Sequence, residues 1–135
     1  MAIRFASDRP IYLQFAQHVA EGILSGLYAP GERLPSVREF AEQYTVNPNT
    51  VQRSLCELEA QGLVSATRGS GWYVTQESAQ IELARAREAG DCARRFLSDM
   101  RRLGFTAEQA AALLKRTLEH EDKEGGEAIG NHTDL

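Results

Sequence analysis

Five segments of the chain carry apolar residues at helical spacing, and between the third and fourth of them the chain alternates in the manner of strands. Ile11, Phe15, Val19, Ile23 and Leu24 form one stripe, with Ala16 and Ala20 filling it, which predicts a helix from Ile11 to Gly26. Pro10 at its start and Gly26 at its end fit the usual asymmetry of helix termini. Leu27-Tyr28-Ala29-Pro30-Gly31 reads as a turn. Val37, Phe40, Ala41 and Tyr44 mark a second, shorter helix. Ser36 is suited to cap it, and Glu39 three residues on completes a capping box. After a turn at Thr45-Val46, Asn47 can cap a third helix, with Pro48 at the tolerated first position and Val51, Leu55 and Leu58 on the apolar side. Gly62 ends it.

Leu63-Val64-Ser65-Ala66-Thr67 and Trp72-Tyr73-Val74-Thr75, joined by Arg68-Gly69-Ser70-Gly71, predict a β-hairpin whose glycines supply the backbone angles of a tight turn. Helix, turn, helix and then a hairpin is the order of a winged helix. Alternation places Trp72 and Tyr73 on opposite faces. Tyr73 is expected to pack inward and Trp72 to lie on the wing surface, either near sugar-phosphate or over the linker that follows.

A different pattern begins at Ser78. One long helix is expected to Leu103, with a stripe of Ala89, Cys92, Ala93, Phe96, Leu97, Met100 and Leu103, ended by Gly104. Thr106-Ala107-Glu108-Gln109 is a second capping box, followed by a stripe of Ala110, Ala111, Leu114, Thr117 and Leu118. From Glu119 the chain is charged and then Gly-rich, which predicts a flexible tail. The fold class expected is therefore mainly α: a winged helix-turn-helix domain over residues 1–76, a helical dimerisation segment over 77–121, and a tail over 122–135. Two helices alone make a poor core. The stripe Cys92, Phe96, Met100 and Leu103 can be buried against Ala110, Leu114 and Leu118 of the next helix or against a second copy; the expectation is a homodimer with Cys92, Phe96, Met100, Leu103, Leu114 and Leu118 at its interface.

Charge does not advertise the partner. The net charge is −4 over 135 residues. Residues 1–77 hold 6 Arg and no Lys against 8 acidic residues. Any basic surface must therefore rest on a few well-placed arginines. The helix opening Asn47-Pro48-Asn49-Thr50, followed by Gln52 and Arg53, nevertheless gathers hydrogen-bonding side chains at a positive dipole end, an arrangement suited to phosphate. Two cysteines, Cys56 and Cys92, are too few for a disulfide framework and read as small apolar side chains rather than redox sensors. His18, His120 and His132 share no ligand spacing with them, so no metal site is expected. No nucleophile–base pattern or phosphate-binding Gly-Lys-Ser/Thr loop is present, which argues against an enzyme and leaves no cofactor to assign. Neither a membrane span nor a signal peptide is evident, and a cytoplasmic location is the expectation.

Pro30-Gly31-Glu32-Arg33-Leu34-Pro35-Ser36-Val37-Arg38-Glu39-Phe40-Ala41, the Leu-Glu-x-x-Gly-Leu-Val exit from the third helix and the Arg-Gly-Ser-Gly wing resemble the GntR family of bacterial transcription regulators. Pro10-Ile11-Tyr12 and Val46-Asn47-Pro48-Asn49-Thr50-Val51 resemble its short YtrA-type subfamily, in which a small helical extension dimerises. The resemblance covers about half the chain. It implies sequence-specific binding of double-stranded DNA, most simply as a repressor on a palindromic operator, with Arg33, Ser36 and Arg38 on the DNA face. The third helix would enter the major groove. Asn47, Asn49 and Thr50 can bond backbone oxygens or base edges, Gln52 suits adenine, and Arg53 suits guanine or phosphate. Where many relatives carry a base-reading Arg, this chain has Pro48, so the burden shifts to Arg38, Gln52 and Arg53. At the wing, Arg68 can enter a minor groove while Gly69, Ser70 and Gly71 let backbone approach phosphate. The larger effector-binding or aminotransferase-like domains of other relatives do not fit the C-terminal extension, although a small effector could still bind between subunits. A winged helix used for protein–protein contact is the alternative, favoured by the charge balance.

Overall fold

The computed structural model describes the backbone of residues 3–132 and the side chains as far as Lys123. The element order is α1 (Ile11–Leu24), α2 (Val37–Tyr44), α3 (Pro48–Ala60), β1 (Val64–Thr67), β2 (Gly71–Val74), α4 (Ser78–Arg102) and α5 (Ala107–His132). Two compact units result, Met1–Arg87 and Glu88–Leu135.

In the first unit α1, α2 and α3 pack around one core. Phe15, Val19 and Ile23 of α1, Phe40 and Tyr44 of α2, and Val51, Leu55 and Leu58 of α3 are all buried. Phe15 meets Phe40 edge-on with ring centroids 5.4 Å apart, and meets Tyr44 at 5.6 Å. Ile11, expected on the α1 stripe, is 48% exposed. It lies in the first turn, beyond the reach of that cluster.

The helix termini follow the local chemistry. Ser36 and Glu39 form the full capping box: the Glu39 N–H donates to Ser36 Oγ at 3.0 Å and the Ser36 N–H to Glu39 Oε1 at 2.9 Å. The α2–α3 turn passes through Thr45, whose φ of 54° is left-handed, and buries Val46. Asn47 Oδ1 caps α3 by accepting from the Asn49 N–H at 2.8 Å. At the far end of α3, Gly62 (φ 78°) donates to the Glu59 carbonyl, and the Leu63 N–H to that of Leu58. These are the two bonds of a Schellman motif, and buried Leu58 and Leu63 supply the apolar pair that accompanies it.

β1 and β2 pair antiparallel, with Val64 opposite Val74, Ser65 opposite Tyr73, Ala66 opposite Trp72 and Thr67 opposite Gly71. The chain before α2 lies along the other edge of β2. Leu34 N–H donates to the Trp72 carbonyl at 2.8 Å, Val74 N–H to that of Glu32 at 2.9 Å, and Arg33 bridges Tyr73. Residues 32–34, just past the segment read as a turn, thus serve as a third edge of the wing.

The register corrects the expectation for the wing. Val74 pairs with buried Val64 on the inner face, and parity carries Trp72 to that same face, where it is 8% exposed. Tyr73 faces outward and is half-buried. The alternation holds, but its sense is reversed.

α4 begins inside the first unit. Ile81 is buried in its core and Ala84 packs against it. The Arg85 guanidinium donates twice to the Leu24 carbonyl at the end of α1, at 2.9 and 3.1 Å. The division between units therefore falls within α4, later than the 76/77 boundary expected from the sequence.

In the second unit α4 closes on another Schellman motif. Gly104 (φ 88°) donates to the Arg101 carbonyl and Phe105 to that of Met100. Thr106 and Gln109 form the second capping box. α5 then continues to His132, so the segment expected as a loose tail from residue 122 is helical as far as that residue. The Glu119–Lys123 spacing favours the start of that continuation, while Gly125, Gly126 and Gly130 oppose it. Residues 133–135 of the expected tail lie outside the described residues.

Candidate nucleic-acid interface

The residues expected to meet DNA fall into two local groups and three side chains outside them. The first group forms where the edge segment meets the wing. Arg33 and Tyr73 are bridge partners, and the Arg33 guanidinium lies against Gly71. A Cβ built on Gly71 would come within 3.2 Å of Arg33 Nε, and the Gly71 φ of 132° disfavours any side chain there. The wing tip is a tight turn in which the Ser70 N–H donates to the Thr67 carbonyl at 2.9 Å. Gly69 sits third in that turn with a φ of 77°, the position a type II turn reserves for glycine. Arg68, Gly69 and Ser70 are exposed, and the Ser70 hydroxyl bonds the Tyr73 hydroxyl. Tyr73 thus braces the tip from the outer face.

Ser36 spends its acceptor on the α2 cap, and in return holds the exposed Glu39 carboxyl below the usual carboxylate range. The Ser36 backbone N–H is the largest cause, followed by the Ser36 hydroxyl.

The second group lies where the first turns of α1 and α3 meet. Pro10, Ile11 and Tyr12 face Asn49, Thr50 and Arg53 across an open cleft of about 380 Å³. The Arg53 guanidinium carbon stands 3.8 Å from the centre of the Tyr12 ring. Beneath them the Ser54 hydroxyl, fully buried, lies 2.7 Å from the Tyr12 carbonyl and 2.9 Å from that of Thr50. Asn47 commits its oxygen to the cap and keeps its amide N–H groups for a ligand, while Pro48 and Asn49 are exposed beside it.

Arg38 and Gln52 stand apart from both groups. Arg38 is exposed on α2, and Gln52 is exposed on α3 with its amide 3.8 Å from Cys56 Sγ. Two tyrosines, Tyr12 and Tyr73, were not among the expected site residues. Tyr12 belonged to a recognised motif, but only the fold shows which side chain it touches.

The ion pairs explain how an acidic chain presents positive charge. Those among the described residues are Asp8–Arg9, Glu82–Arg85, Asp91–Arg94 and Asp99–Arg102. Arg33, Arg38, Arg53 and Arg68 form no ion pair among the described residues, and all four are exposed. Both cysteines are exposed in the single chain, and Cys56 departs from the expectation of a small buried side chain. Cys56 follows Leu55 and so falls off the buried stripe of α3.

Comparison with known proteins bears on what this surface serves. The pattern of the bacterial regulatory proteins of the gntR family matches residues 11–74. The HTH-type transcriptional regulator YhcF of Bacillus subtilis is 34% identical over 116 residues, spanning 86% of this chain and 96% of that protein. The chain belongs to the GntR family. Its helix-turn-helix is accordingly the DNA-binding domain of a transcriptional regulator. The HTH-type transcriptional repressor YtrA of B. subtilis is 43% identical over 72 residues, covering 53% of this chain and 55% of that one. Among solved structures, a GntR family transcriptional regulator from Listeria monocytogenes superposes with a TM-score of 0.77 at 36% identity, covering 83% of this chain and 98% of that one. The likeness to a GntR protein thus extends past the winged helix into the C-terminal helices. Among the described residues, no helix is long and apolar enough to cross a membrane, and no cluster of His, Cys, Asp and Glu could hold a metal ion.

Proposed function

We propose that this GntR regulator is a homodimeric repressor that reads a palindromic operator. In this reading α3 enters the major groove at its N-terminal end, with Asn47, Asn49, Thr50, Gln52 and Arg53 toward the bases and backbone. Arg38 approaches from α2, and Arg33 and the wing residues Arg68–Gly71 approach from the side. Pro48 has no N–H to give, so the arginines carry the positive charge of the reading head.

The observation that carries the dimer is the second unit's uncovered apolar surface. Leu103 is 72% exposed, Leu118 52% and Leu114 46%, with Phe105 at 37%. Cys92 is exposed and Phe96 half-buried on α4. Met100, expected in the same interface, is already buried within its own chain, as is Ala110, so these two form the inside of the unit. Leaving several leucines in water forgoes roughly 25 cal/mol for every Å² a partner could cover, and a second copy offers the same surface in return. Pairing two winged helices also gives a palindrome its physical reason, because each head reads one half-site. The name of YtrA as a repressor supports that direction of control.

Selection of bound sequences from random duplex DNA with the full chain tests this reading. A palindrome with half-sites about one helical turn apart is expected, and light scattering at micromolar concentration should give twice the chain mass. A single asymmetric half-site together with a monomer mass would overturn it.

A further inference from the structure

We infer that Tyr12 is a positioning residue for DNA recognition: it holds the Arg53 guanidinium over the cleft between the starts of α1 and α3. This rests on the reading of Arg53 as a DNA contact and adds to it a residue from outside the helix-turn-helix.

The geometry supplies the reason. The guanidinium carbon lies 3.8 Å from the Tyr12 ring centroid, within stacking range. An Arg stacked by its face keeps the N–H groups at its edge, and these are the donors that pair with a phosphate or with the O6/N7 edge of guanine. No carboxylate among the described residues forms an ion pair that would compete for them. Tyr12 is itself held in place: it is half-buried, and its carbonyl accepts from Ser54, a fully buried residue next to Arg53 on α3. Backbone and ring of Tyr12 therefore engage two consecutive residues of the reading helix. The cleft they border is lined by Asn49 and Thr50 as well. An oxygen placed there would meet the amide and hydroxyl of the α3 start together with the Arg53 edge. A long, flexible side chain is in this way ordered before DNA arrives, which lowers the entropy lost on binding.

A double-substitution cycle tests it, using the full chain and a duplex recovered by selection from random DNA. Arg53→Ala alone should weaken binding. Tyr12→Leu should weaken binding about two- to fivefold, the size of an exposed cation–π interaction, and Tyr12→Phe, which keeps the ring, should restore it. In the Arg53→Ala background Tyr12→Leu should have no further effect, and circular dichroism should show an unchanged melting midpoint for Tyr12→Phe. If Arg53→Ala binds as the parent does, the reading of Arg53 falls and this inference with it. If Arg53→Ala weakens binding but Tyr12→Leu does nothing, or weakens binding equally in both backgrounds, only the role of Tyr12 is overturned.

Discussion

Replacing Trp72 by Ala separates the two places a tryptophan on the wing can occupy. It is the only Trp in the chain, and the hairpin register sets it on the inner face at 8% exposure, opposite Ala66 and beside the core residues Leu34 and Val74. Removing a buried Trp side chain costs about 3–5 kcal/mol, because the lost burial is compounded by the cavity left behind. For a unit of this size each kcal/mol moves the melting midpoint by about 4–8 °C, so the expected fall is roughly 12–40 °C. A surface Trp would cost about 0.5 kcal/mol or less. Thermal melts by circular dichroism read the difference, and Trp72→Phe, which refills much of the space, should fall between the parent and Trp72→Ala. Intrinsic fluorescence gives an independent reading with a single reporter: acrylamide should quench the native protein far less than the unfolded chain. A melt within a few degrees of the parent for Trp72→Ala, or native quenching equal to that of unfolded protein, would refute the inward assignment.

Four other variants probe the remaining geometry. Gly71→Ala should weaken operator binding, since the new Cβ meets Arg33 Nε at 3.2 Å from a backbone at φ 132°; a filter-binding or gel-shift titration reads it, and unchanged affinity would show that Arg33 needs no fixed seat. Leu114→Asp combined with Leu118→Asp should give a monomer by light scattering while leaving the melt of the winged helix within about 0.5 kcal/mol, because both side chains are already exposed in the single chain. Arg53→Ala should reduce the slope of log affinity against log salt by about 0.9 for each phosphate that the arginine neutralises, or leave the slope intact and relax base preference if it reads guanine. Glu39→Gln should destabilise α2 at neutral pH and matter progressively less in acid. The Glu39 carboxyl is held below its ordinary value when folded, so its contribution is present above the ordinary value and is lost as pH falls through the lowered one. A parent–variant difference in melting midpoint that did not shrink on acidification would count against the capping box as its source.

What was legible in the sequence was local, and what was missed was set by partners distant along the chain. Ser36–Glu39, Asn47 and Thr106–Gln109 cap their helices as spacing foretold, because each cap is closed within three residues. Val51, Leu55 and Leu58 are buried for the same reason: one helix turn fixes them relative to one another. The alternation of Trp72 and Tyr73 was equally local, but which of them faces inward depends on Val74 pairing with Val64 and on Leu34 docking along the other edge of β2. Neither strand carries that information alone. Stripe arguments also overreached at helix ends. Ile11 fits the α1 period yet stands at the rim of a cleft. On α5, Ala110 is fully buried, and Leu113, which the stripe left out, is half-buried. The stack of Tyr12 on Arg53 joins residues on separate helices and has no signature in either segment.

The same distinction between local and distant contacts resolves the conflict between an acidic chain and a nucleic-acid partner. Net charge sums over all residues, whereas a phosphate responds mainly to charges within about a Debye length. On α4 three of the six arginines are each matched by an acid one turn earlier, Glu82 with Arg85, Asp91 with Arg94 and Asp99 with Arg102. The arginines of the winged helix are arranged otherwise. Arg33 is seated on a glycine and Arg53 on an aromatic face, and Arg38 and Arg68 are exposed without an ion pair among the described residues. A support without charge, as the Tyr12 ring is for Arg53, holds a guanidinium in place and leaves its field intact, whereas a carboxylate in the same position would have to be displaced before DNA could bind. On the proposed reading of these arginines, an overall acidity of −4 acts against loose, non-specific association, and binding is retained where several arginines meet phosphates or base edges together. On this physical argument the acidic balance sharpens discrimination between an operator and bulk DNA.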